Sequence, residues 1–328
     1  MELGSVTKNK KLNVLVISIE ERNPENGRLF DYLGQKCNLD LLKLSRVQAK
    51  SFYNYIKFKN CDKYDRVLID LPFRLIYQHA KKLRKIKRLV FYEEDSCQNY
   101  IKGSKWYGKF SKFYQSIPGA RVLTTSSFVT SEFVKNGIDA IYIGKSFDES
   151  VIGNRGFNRE IKFAFVGRVK NKVYKQRQLI LDDISQFIPL KFLRAPPGAQ
   201  YDLLLNKILY FISADCGLGE YMIKNFEALA AGCLLCVFRL PTEISLIGFK
   251  DMKNVILYSS SKELVEKIEI VENNPELKEA IVKNGVLLAK NYTFHDHSQR
   301  LVLALEVNIS SLKVNSSVFQ KLLNFIKV

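Results

Sequence analysis

The chain has 328 residues, which is the length of two ordinary domains. Hydrophobic residues make up 47% and charged residues 26%, and these globular proportions exclude disordered and fibrous proteins. The six cysteines are scattered and follow no metal-ligand or disulfide pattern, so we expect a reducing compartment. A chain of this size buries enough surface to need neither a metal nor disulfides for its core.

The formal net charge is +18, and it is concentrated in the first half of the chain. Residues 1–155 carry 28 basic and 16 acidic side chains, a net charge of 28 − 16 = +12. Ten of these bases lie in the stretches 81–88 and 102–112. Such a concentration predicts a polyanionic partner, which is an anionic membrane, a phosphorylated glycolipid or a nucleic acid.

The N-terminal residues are polar up to Leu12, so we expect no signal peptide. The longest uncharged apolar run, 228–238, is about half the length of a membrane span. The sequence therefore predicts a cytoplasmic protein that associates peripherally with the inner face of the cytoplasmic membrane.

Short apolar runs alternate with helical patterns throughout the first half. Strands are predicted at residues 13–19, 65–71, 88–92, 121–125 and 140–143, with helices at 73–84 and 127–136. Strands that are continuously apolar and separated by helices indicate a parallel sheet covered on both faces.

The pattern restarts after a polar stretch at 145–160. Further strands are predicted at 161–166, 190–193, 207–213, 233–238 and 254–258, and further helices at 220–231, 261–272, 275–290 and 295–308. We predict an α/β fold with two doubly wound domains, residues 1–155 and 156–310. A C-terminal helix, 311–328, is predicted to pack back toward the first domain. Ligands of such folds bind at the carboxyl ends of the strands, here in the cleft between the domains.

A basic cluster follows the first strand of the second domain. Gly167 ends the strand, and Arg168, Lys175 and Arg177 follow. A glycine at this point lets the backbone approach a ligand, and bases at a helix start suit a diphosphate. The alternative is a solvated basic turn, but bases there oppose the helix dipole unless an anion is bound.

A second motif occupies residues 214–236. A loop with Gly217 and Gly219 precedes a predicted helix that carries Glu220, Lys224 and Glu227. Loop amides can face a phosphate, and a glutamate in the helix can accept both hydroxyls of a ribose. The alternative, a structural helix ending at a glycine, explains the small residues but not the glutamate.

The residues NFEALAAGCLLC at 225–236 resemble the donor domain of group 1 glycosyltransferases. The later segments NVILY, SKELVEKIEIVENNPELKEAIVKNG and YTFHDHSQRL extend the resemblance over about residues 161–305. It implies a GT-B-like fold of two Rossmann-like domains facing a central cleft. It also implies that FVGRVKNKVYKQR contacts the donor diphosphate and that Glu227 binds the nucleotide ribose. The family commonly has a second glutamate eight residues earlier, where this chain has Gly219; Glu220 is one position late and is carried over as a catalytic candidate.

Three carboxylates, residues 93–95, follow a predicted strand of the first domain. One of them could deprotonate an acceptor hydroxyl. We choose Asp95 because aspartate is favoured as a helix cap and would keep its oxygen in the cleft. The alternative is a solvated acidic loop.

The basic stretches are candidates for membrane or acceptor binding, through Lys81, Lys82, Arg84, Lys85 and Trp106. Aromatic residues at 106, 110 and 113 share a stripe beside lysines, an arrangement that suits a membrane interface. The alternative is a surface helix whose aromatic stripe enters the core.

These observations together predict an enzyme that transfers a sugar from a nucleotide-sugar to a cell-surface glycan, such as a lipopolysaccharide core, a capsule or a lipid-linked saccharide. No cofactor or metal is expected, because arginine and lysine would stabilise the leaving diphosphate. A nucleic acid is the less favoured partner. The alternatives are a glycosyltransferase acting on modified DNA and a non-catalytic nucleic-acid-binding protein that retains the fold.

Overall fold

The computed structural model describes residues 11–57, 59–169, 175–214 and 219–309. Gly217 and the predicted helix 311–328 lie outside the described residues. Within them the chain forms two parallel sheets, as predicted, in the order β2-β1-β3-β4-β5-β6 and β11-β10-β9-β7-β8.

The strands of the first sheet are β1 Asn13–Ile19, β2 Asn38–Leu44, β3 Arg66–Asp70, β4 Leu89–Glu93, β5 Arg121–Thr124 and β6 Asp139–Tyr142. Those of the second sheet are β7 Ile161–Val166, β8 Lys191–Leu193, β9 Ile208–Ser213, β10 Leu234–Phe238 and β11 Ile256–Tyr258. Each neighbouring pair is parallel.

The α-helices in chain order are α1 Asn23–Lys36, α2 Arg46–Lys50, α3 Phe52–Lys57, α4 Phe73–Ile76, α5 Ala80–Leu83, α6 Lys109–Gln115, α7 Ser127–Lys135, α8 Lys175–Ile184, α9 Ala199–Asn206, α10 Ile223–Ala230, α11 Pro241–Ile247, α12 Ser261–Glu272, α13 Pro275–Ala289 and α14 Phe294–Glu306.

Both faces of each sheet are covered by helices, which explains the continuously apolar strands. In β1, Val14 packs toward α1 and α14, while Leu15 packs toward α6 and α7 on the other face. The second sheet is likewise sandwiched, with α9 and α10 on one face and α8 and α12 on the other. The fold is therefore the predicted pair of doubly wound domains.

The sequence prediction missed β2. This strand lies at the edge of the first sheet, and its exposed and buried residues intermix along its length. An edge strand does not show the continuous apolar run that identifies a central strand. The predicted helix 73–84 is also divided, into α4, a 3-10 turn at Tyr77–His79 and α5.

The chain passes between the sheets twice, and the two crossing segments lie side by side. Phe147 on the outward crossing forms a parallel bridge with Thr293 on the return. Glu149 accepts hydrogen bonds from the backbone amides of Phe294 and His295 at the start of α14. Helix α14, within the range assigned to the second domain from sequence, packs against the first sheet through Leu301 and Leu305.

Candidate active site between the two sheets

The carboxyl edges of the two sheets face each other. Lys145, just after β6, forms an ion pair with Glu220, which follows β9, with 3.3 Å between Nζ and Oε1. Ser127, just after β5, donates from its amide and hydroxyl to Glu243 of α11, at 3.1 and 3.0 Å. These contacts connect the domains at the edge where parallel sheets bind ligands.

Gly167 and Lys224 lie close together in the predicted donor site. The Lys224 Nζ atom donates to the backbone carbonyl of Val166 at 2.9 Å. A Cβ atom on Gly167 would lie 2.3 Å from this Nζ, and Gly167 has a φ of +151°. Glycine at this strand end is therefore required for the lysine of α10 to reach the end of β7.

Lys224, from the second sequence motif, lies near Arg168 and Arg177 of the predicted basic cluster. Its pKa is lowered to about 8, first by burial and then by the positive charge of Arg177, with smaller effects from Arg168 and Arg194. Arg177 is buried and donates to the backbone carbonyl of Arg168 at 2.9 Å. The charged form of Lys224 is thus disfavoured in this cluster, and a bound anion would stabilise it.

Lys175, which was predicted to bind the diphosphate together with Arg177, does not belong to this cluster. It is exposed at the first position of α8, whereas Arg177 is 3% exposed. Residues two apart on a helix point to opposite sides, so the two side chains cannot face one ligand together. The cluster thus consists of Lys224, Arg177, Arg168 and Arg194, the last of which directly follows β8.

Glu227 lies one helical turn after Lys224 and is half-buried. It raises the pKa of Lys224, and it raises the pKa of the neighbouring Tyr201 phenol further after burial has done so. Glu227, which is predicted to bind the ribose, therefore lies on the same face of α10 as Lys224 of the basic cluster. Tyr201, from α9, was not predicted as part of the site.

The prediction that Glu220 lies on the helix is wrong. Helix α10 begins at Ile223, after Met222, whose extended backbone (φ −81°, ψ 154°) stops the helix there. Glu220 lies outside the helix and is 5% exposed, with its carboxylate held by Lys145. Lys145 also donates to the Thr125 hydroxyl at 3.1 Å. Burial lowers the pKa of Lys145, but Glu220 and other nearby groups outweigh it, so the pKa is raised.

Glu243 is a second buried carboxylate at the domain contact. It is 2% exposed and accepts a further hydrogen bond, of 2.9 Å, from the backbone amide of Tyr221. Burial raises its pKa to about 7. Neither Lys145 nor Glu243 was found from the sequence, because their partners are 75 and 116 residues away in the chain.

Gly219 lies where the loop before α10 approaches the first domain. Its φ is +64°, and a Cβ atom there would lie 4.0 Å from Cγ of Phe128. Phe128 is 38% exposed and packs edge-on against Tyr100. Gly219 thus borders the first domain. Its backbone amide was predicted to face the donor diphosphate, and that role stays a prediction.

The three predicted carboxylates after β4 have different environments. Glu93 is buried and accepts from the Tyr114 hydroxyl at 2.7 Å, and burial raises its pKa to about 7. Glu94 pairs with Arg22, which also pairs with the buried Asp70 at 3.3 Å. Asp95 is exposed, and its carboxylate accepts no hydrogen bond from the described residues in the structure.

The prediction that the Asp95 side chain caps a helix is wrong. Asp95 precedes the short 3-10 helix Ser96–Tyr100, but its side chain makes no capping hydrogen bond. Its backbone amide instead donates to Glu93 at 2.7 Å. Asp95 is nevertheless the carboxylate of the three that is left accessible at this edge.

The basic stretches lie on the surface of the first domain. Lys81, Lys82, Arg84 and Lys85 are all exposed, and Trp106 is half-buried against Phe73 and Tyr77. The aromatic stripe enters the core, since Phe110 and Phe113 are 0% and 3% exposed. Of the two interpretations of the stripe, the core interpretation is therefore correct, and Trp106 lies before α6 rather than on it.

The described ranges contain no helix of the length and apolarity that a membrane span needs. They also contain no group of three histidine, cysteine or acidic side chains placed to hold a metal ion.

Residues 159–306 match a family model described as glycosyl transferase-like. A comparison with curated proteins finds no match.

Several solved structures share the fold. HepE from Anabaena, solved with UDP and glucose, has a TM-score of 0.65 at 11% identity, and the alignment covers 90% of this chain and 99% of that one. Sucrose-phosphate synthase from Thermosynechococcus elongatus has a TM-score of 0.62 at 10% identity, over 88% and 97%. BGT from T4 phage, solved with its UDP-glucose substrate, has a TM-score of 0.59 at 10% identity, over 90% and 99%.

Proposed function

We propose that the chain is a glycosyltransferase and that it transfers a sugar from a UDP-sugar to an acceptor hydroxyl in the cleft between its sheets, which the family-model match and the shared fold support. The observation that carries this proposal is the pairing of Lys224 and Glu227 on one face of α10, against Gly167. A cation cluster and a carboxylate one turn apart suit a nucleoside diphosphate, with its diphosphate on the cations and its ribose on the carboxylate. The UDP in the HepE and BGT structures supports uridine as the nucleoside.

In this proposal the leaving diphosphate is stabilised by protein cations. Arg177 and Lys224 face the site from two elements, and Arg168 and Arg194 add positive charge nearby. Negative charge grows on the diphosphate as the bond to the sugar breaks, so fixed cations stabilise the transition state more than the bound donor. We propose that the reaction needs no metal ion.

On the opposite side of the cleft, Asp95 accepts the proton of the acceptor hydroxyl. Its carboxylate is accessible at the carboxyl edge of the first sheet, whereas Glu93 and Glu94 are engaged by Tyr114 and Arg22. Removal of this proton makes the acceptor oxygen a better nucleophile toward the sugar carbon that the diphosphate leaves.

For the acceptor, we propose a cell-surface glycan, such as a lipopolysaccharide core, a capsule or a lipid-linked saccharide, at the inner face of the cytoplasmic membrane. The exposed bases at residues 81, 82, 84 and 85 would bind its anionic groups or the lipid surface. Modified DNA is the second candidate, favoured by one observation. The aromatic residues beside the bases are mostly buried, so the surface is more cationic than amphipathic.

A thermal-shift screen against UDP, GDP, ADP and CMP tests the donor. At 100 times its dissociation constant a ligand adds about 2.7 kcal/mol of stability, and we expect UDP to give the largest shift. Slow hydrolysis of a UDP-sugar, persisting in EDTA, would support catalysis without a metal. The absence of a shift with any nucleotide would overturn the proposed function.

A further inference from the structure

Two connections of the first domain carry bases but no acids. Residues 71–88 connect β3 to β4, residues 96–120 lead from β4 to β5, and neither segment contains an aspartate or a glutamate. The second segment carries Lys102, Lys105, Lys109 and Lys112. Within the described residues none of these four forms an ion pair, whereas Lys135 of the same domain pairs with Glu132 at 2.7 Å. Their positive charge is therefore not compensated locally.

Two of these lysines converge on Trp106. The Nζ atom of Lys105 lies over the indole, 5.0 Å from the ring centroid, and Nζ of Lys109 lies 5.4 Å from the same centroid. Lys109 Nζ is also 5.8 Å from the centroid of the Tyr77 ring. Attraction to the ring electrons restrains both ammonium groups and offsets part of their mutual repulsion. The surface thus presents two positive charges beside one aromatic residue.

Trp106 itself is firmly held although it is only half-buried. It packs edge-on against Phe73, which is 4% exposed, with 5.1 Å between the ring centroids. It also packs edge-on against Tyr77, at 5.6 Å. Because the ring is already ordered, a ligand that binds to it and to its two lysines loses less free energy to the ordering of side chains.

The loop around Trp106 is attached to the segment that carries the proposed acceptor base. The backbone amide of Gly108 donates to the carbonyl of Asn99 at 2.9 Å. Asn99 belongs to the 3-10 helix Ser96–Tyr100, which begins directly after Asp95. An acceptor held by Trp106 and its lysines is therefore bound by the same connection that positions Asp95.

The chemistry of this cluster favours an acidic saccharide. Two ammonium groups without carboxylate partners suit a phosphate or a carboxylate, and the indole offers apolar surface to a sugar ring. A membrane surface would need an apolar stripe, but Phe110 and Phe113 of this stretch are buried. A nucleobase would need an open aromatic face, whereas lysine ammonium groups already lie over the half-buried indole.

We propose that Lys105 and Lys109, beside Trp106, bind an anionic sugar residue of the acceptor, which makes the acceptor an acidic glycan that carries phosphate or carboxylate groups. The assignment of this sugar residue to the acceptor rests on the proposed function. The binding of an acidic saccharide to the first domain does not, so the two can fail separately.

Trp106 is the only tryptophan of the chain, so tryptophan fluorescence reports on this site alone. Its emission is followed during titration with tetragalacturonate, with mannose 6-phosphate and with neutral maltotetraose, and the tighter-binding acidic saccharide becomes the test ligand. The double variant Lys105→Gln/Lys109→Gln removes both charges and keeps the reporter. The double variant Lys102→Gln/Lys112→Gln removes the same charge from exposed positions on either side and is the matched control.

We expect a saturable change in emission with the test ligand and none with maltotetraose. Lys105→Gln/Lys109→Gln should weaken binding of the test ligand by about 10-fold or more, because two charge-assisted contacts are lost, and the control variant by less than about 2-fold. Quenching by iodide, relative to neutral acrylamide, should also fall in Lys105→Gln/Lys109→Gln, since iodide follows the positive potential at the indole.

Equal losses in the two double variants would indicate a diffuse effect of net charge and overturn the inference, as would equal binding of maltotetraose or no binding of either acidic saccharide. Phosphatidylglycerol vesicles and single-stranded DNA are titrated in parallel. Tighter binding of either one, with the same dependence on Lys105 and Lys109, would overturn the inference in favour of a membrane or a nucleic acid.

UDP binding to the same proteins, measured by calorimetry, separates this inference from the proposed function. Both double variants should keep the wild-type affinity for UDP. A wild type that binds the test ligand but not UDP would overturn the proposed function, and with it the assignment to an acceptor, while the saccharide site stands. A wild type that binds UDP but no acidic saccharide would overturn this inference alone.

Discussion

Lys145 and Glu220 form an ion pair between the two domains, and both side chains are largely withdrawn from water, at 12% and 5% exposure. Each residue follows a strand of a different sheet, so their contact fixes how the carboxyl edges face each other. Removing one partner of such a pair leaves a charge that is both buried and uncompensated.

We predict that Lys145→Met lowers the free energy of unfolding by about 3 kcal/mol, and that Lys145→Met combined with Glu220→Gln recovers most of this loss. Urea unfolding monitored by fluorescence measures both. Lys262→Met, which breaks the exposed pair with Glu266, is the control and should cost less than about 1 kcal/mol. A double variant as unstable as the single one would contradict the interpretation.

Gly167→Ala is predicted to weaken nucleotide binding. Gly167→Ala places a methyl group where Lys224 Nζ lies and imposes a side chain on a φ of +151°, so Lys224 must move away from the Val166 carbonyl. We expect the affinity for UDP to fall about 10-fold, as a charge-assisted contact is lost. Gly153→Ala is the matched control, because a Cβ atom there meets nothing within 4 Å. Calorimetric titration with UDP would show equal affinities in the two variants if the close approach were irrelevant.

Glu227→Gln tests the ribose contact. A carboxylate can accept from both ribose hydroxyls, whereas an amide has one acceptor oxygen, so we expect UDP affinity to fall about 10- to 100-fold without loss of fold. Circular dichroism checks the fold, and Glu276→Gln on the exposed first turn of α13 is the control. A folded Glu227→Gln protein with wild-type affinity for UDP would remove this residue from the site.

The fold was largely predictable because its central strands are buried on both faces. Such strands are short continuous apolar runs, and β1 and β7 were predicted to the residue. The edge strand β2 lacks this signature and was missed. Glu220 was placed on α10 because the residues around it suit a helix, but the extended Met222 backbone delays the helix start to Ile223.

The grouping of Gly167, Lys224 and Glu227 could be anticipated for a similar reason, since each belongs to a local sequence motif; their role in donor binding stays a prediction. The domain contacts could not be anticipated. Ser127 and Glu243 have no shared pattern, and their hydrogen bonds exist only because two separately folded sheets face each other.

Glu243 gives a prediction about pH. Its pKa in the folded protein is about 7, above the ordinary value of 4.5, so the folded state retains this proton between those pH values while the unfolded state loses it. The contribution of Glu243 therefore becomes less favourable as the pH rises from 4.5 to 7, by about 3 kcal/mol in all, and is constant outside that window.

Glu243→Gln removes this titration. We expect the stability of the variant relative to the wild type to increase by about 3 kcal/mol between pH 4.5 and 7, whatever its offset at one pH. Urea unfolding of both proteins at half-unit pH intervals measures the difference, and the titration of Glu93 cancels because both proteins share it. A difference that does not vary with pH would show that Glu243 is ionised throughout.

The last prediction concerns the exposed bases of the first domain. Replacing Lys81, Lys82, Arg84 and Lys85 by Gln removes four positive charges that face solvent, so it should leave the fold and UDP binding unchanged. Each base near an anionic membrane contributes about 1 kcal/mol, so the variant should be released from anionic liposomes at low salt. The loss should be smaller at physiological ionic strength, where the Debye length is about 8 Å.

Replacing Lys253, Lys262, Lys283 and Lys290 by Gln removes the same charge from exposed positions of the second domain and should have little effect. Co-sedimentation with liposomes of varied anionic content, beside binding to duplex DNA, separates the two acceptor candidates. Equal binding to neutral and anionic liposomes would overturn the membrane proposal, and tighter binding to DNA than to any liposome would favour the DNA acceptor. Trp106→Ala is a poor test of membrane insertion, because Trp106 packs against Phe73 and Tyr77 and its removal disturbs the core.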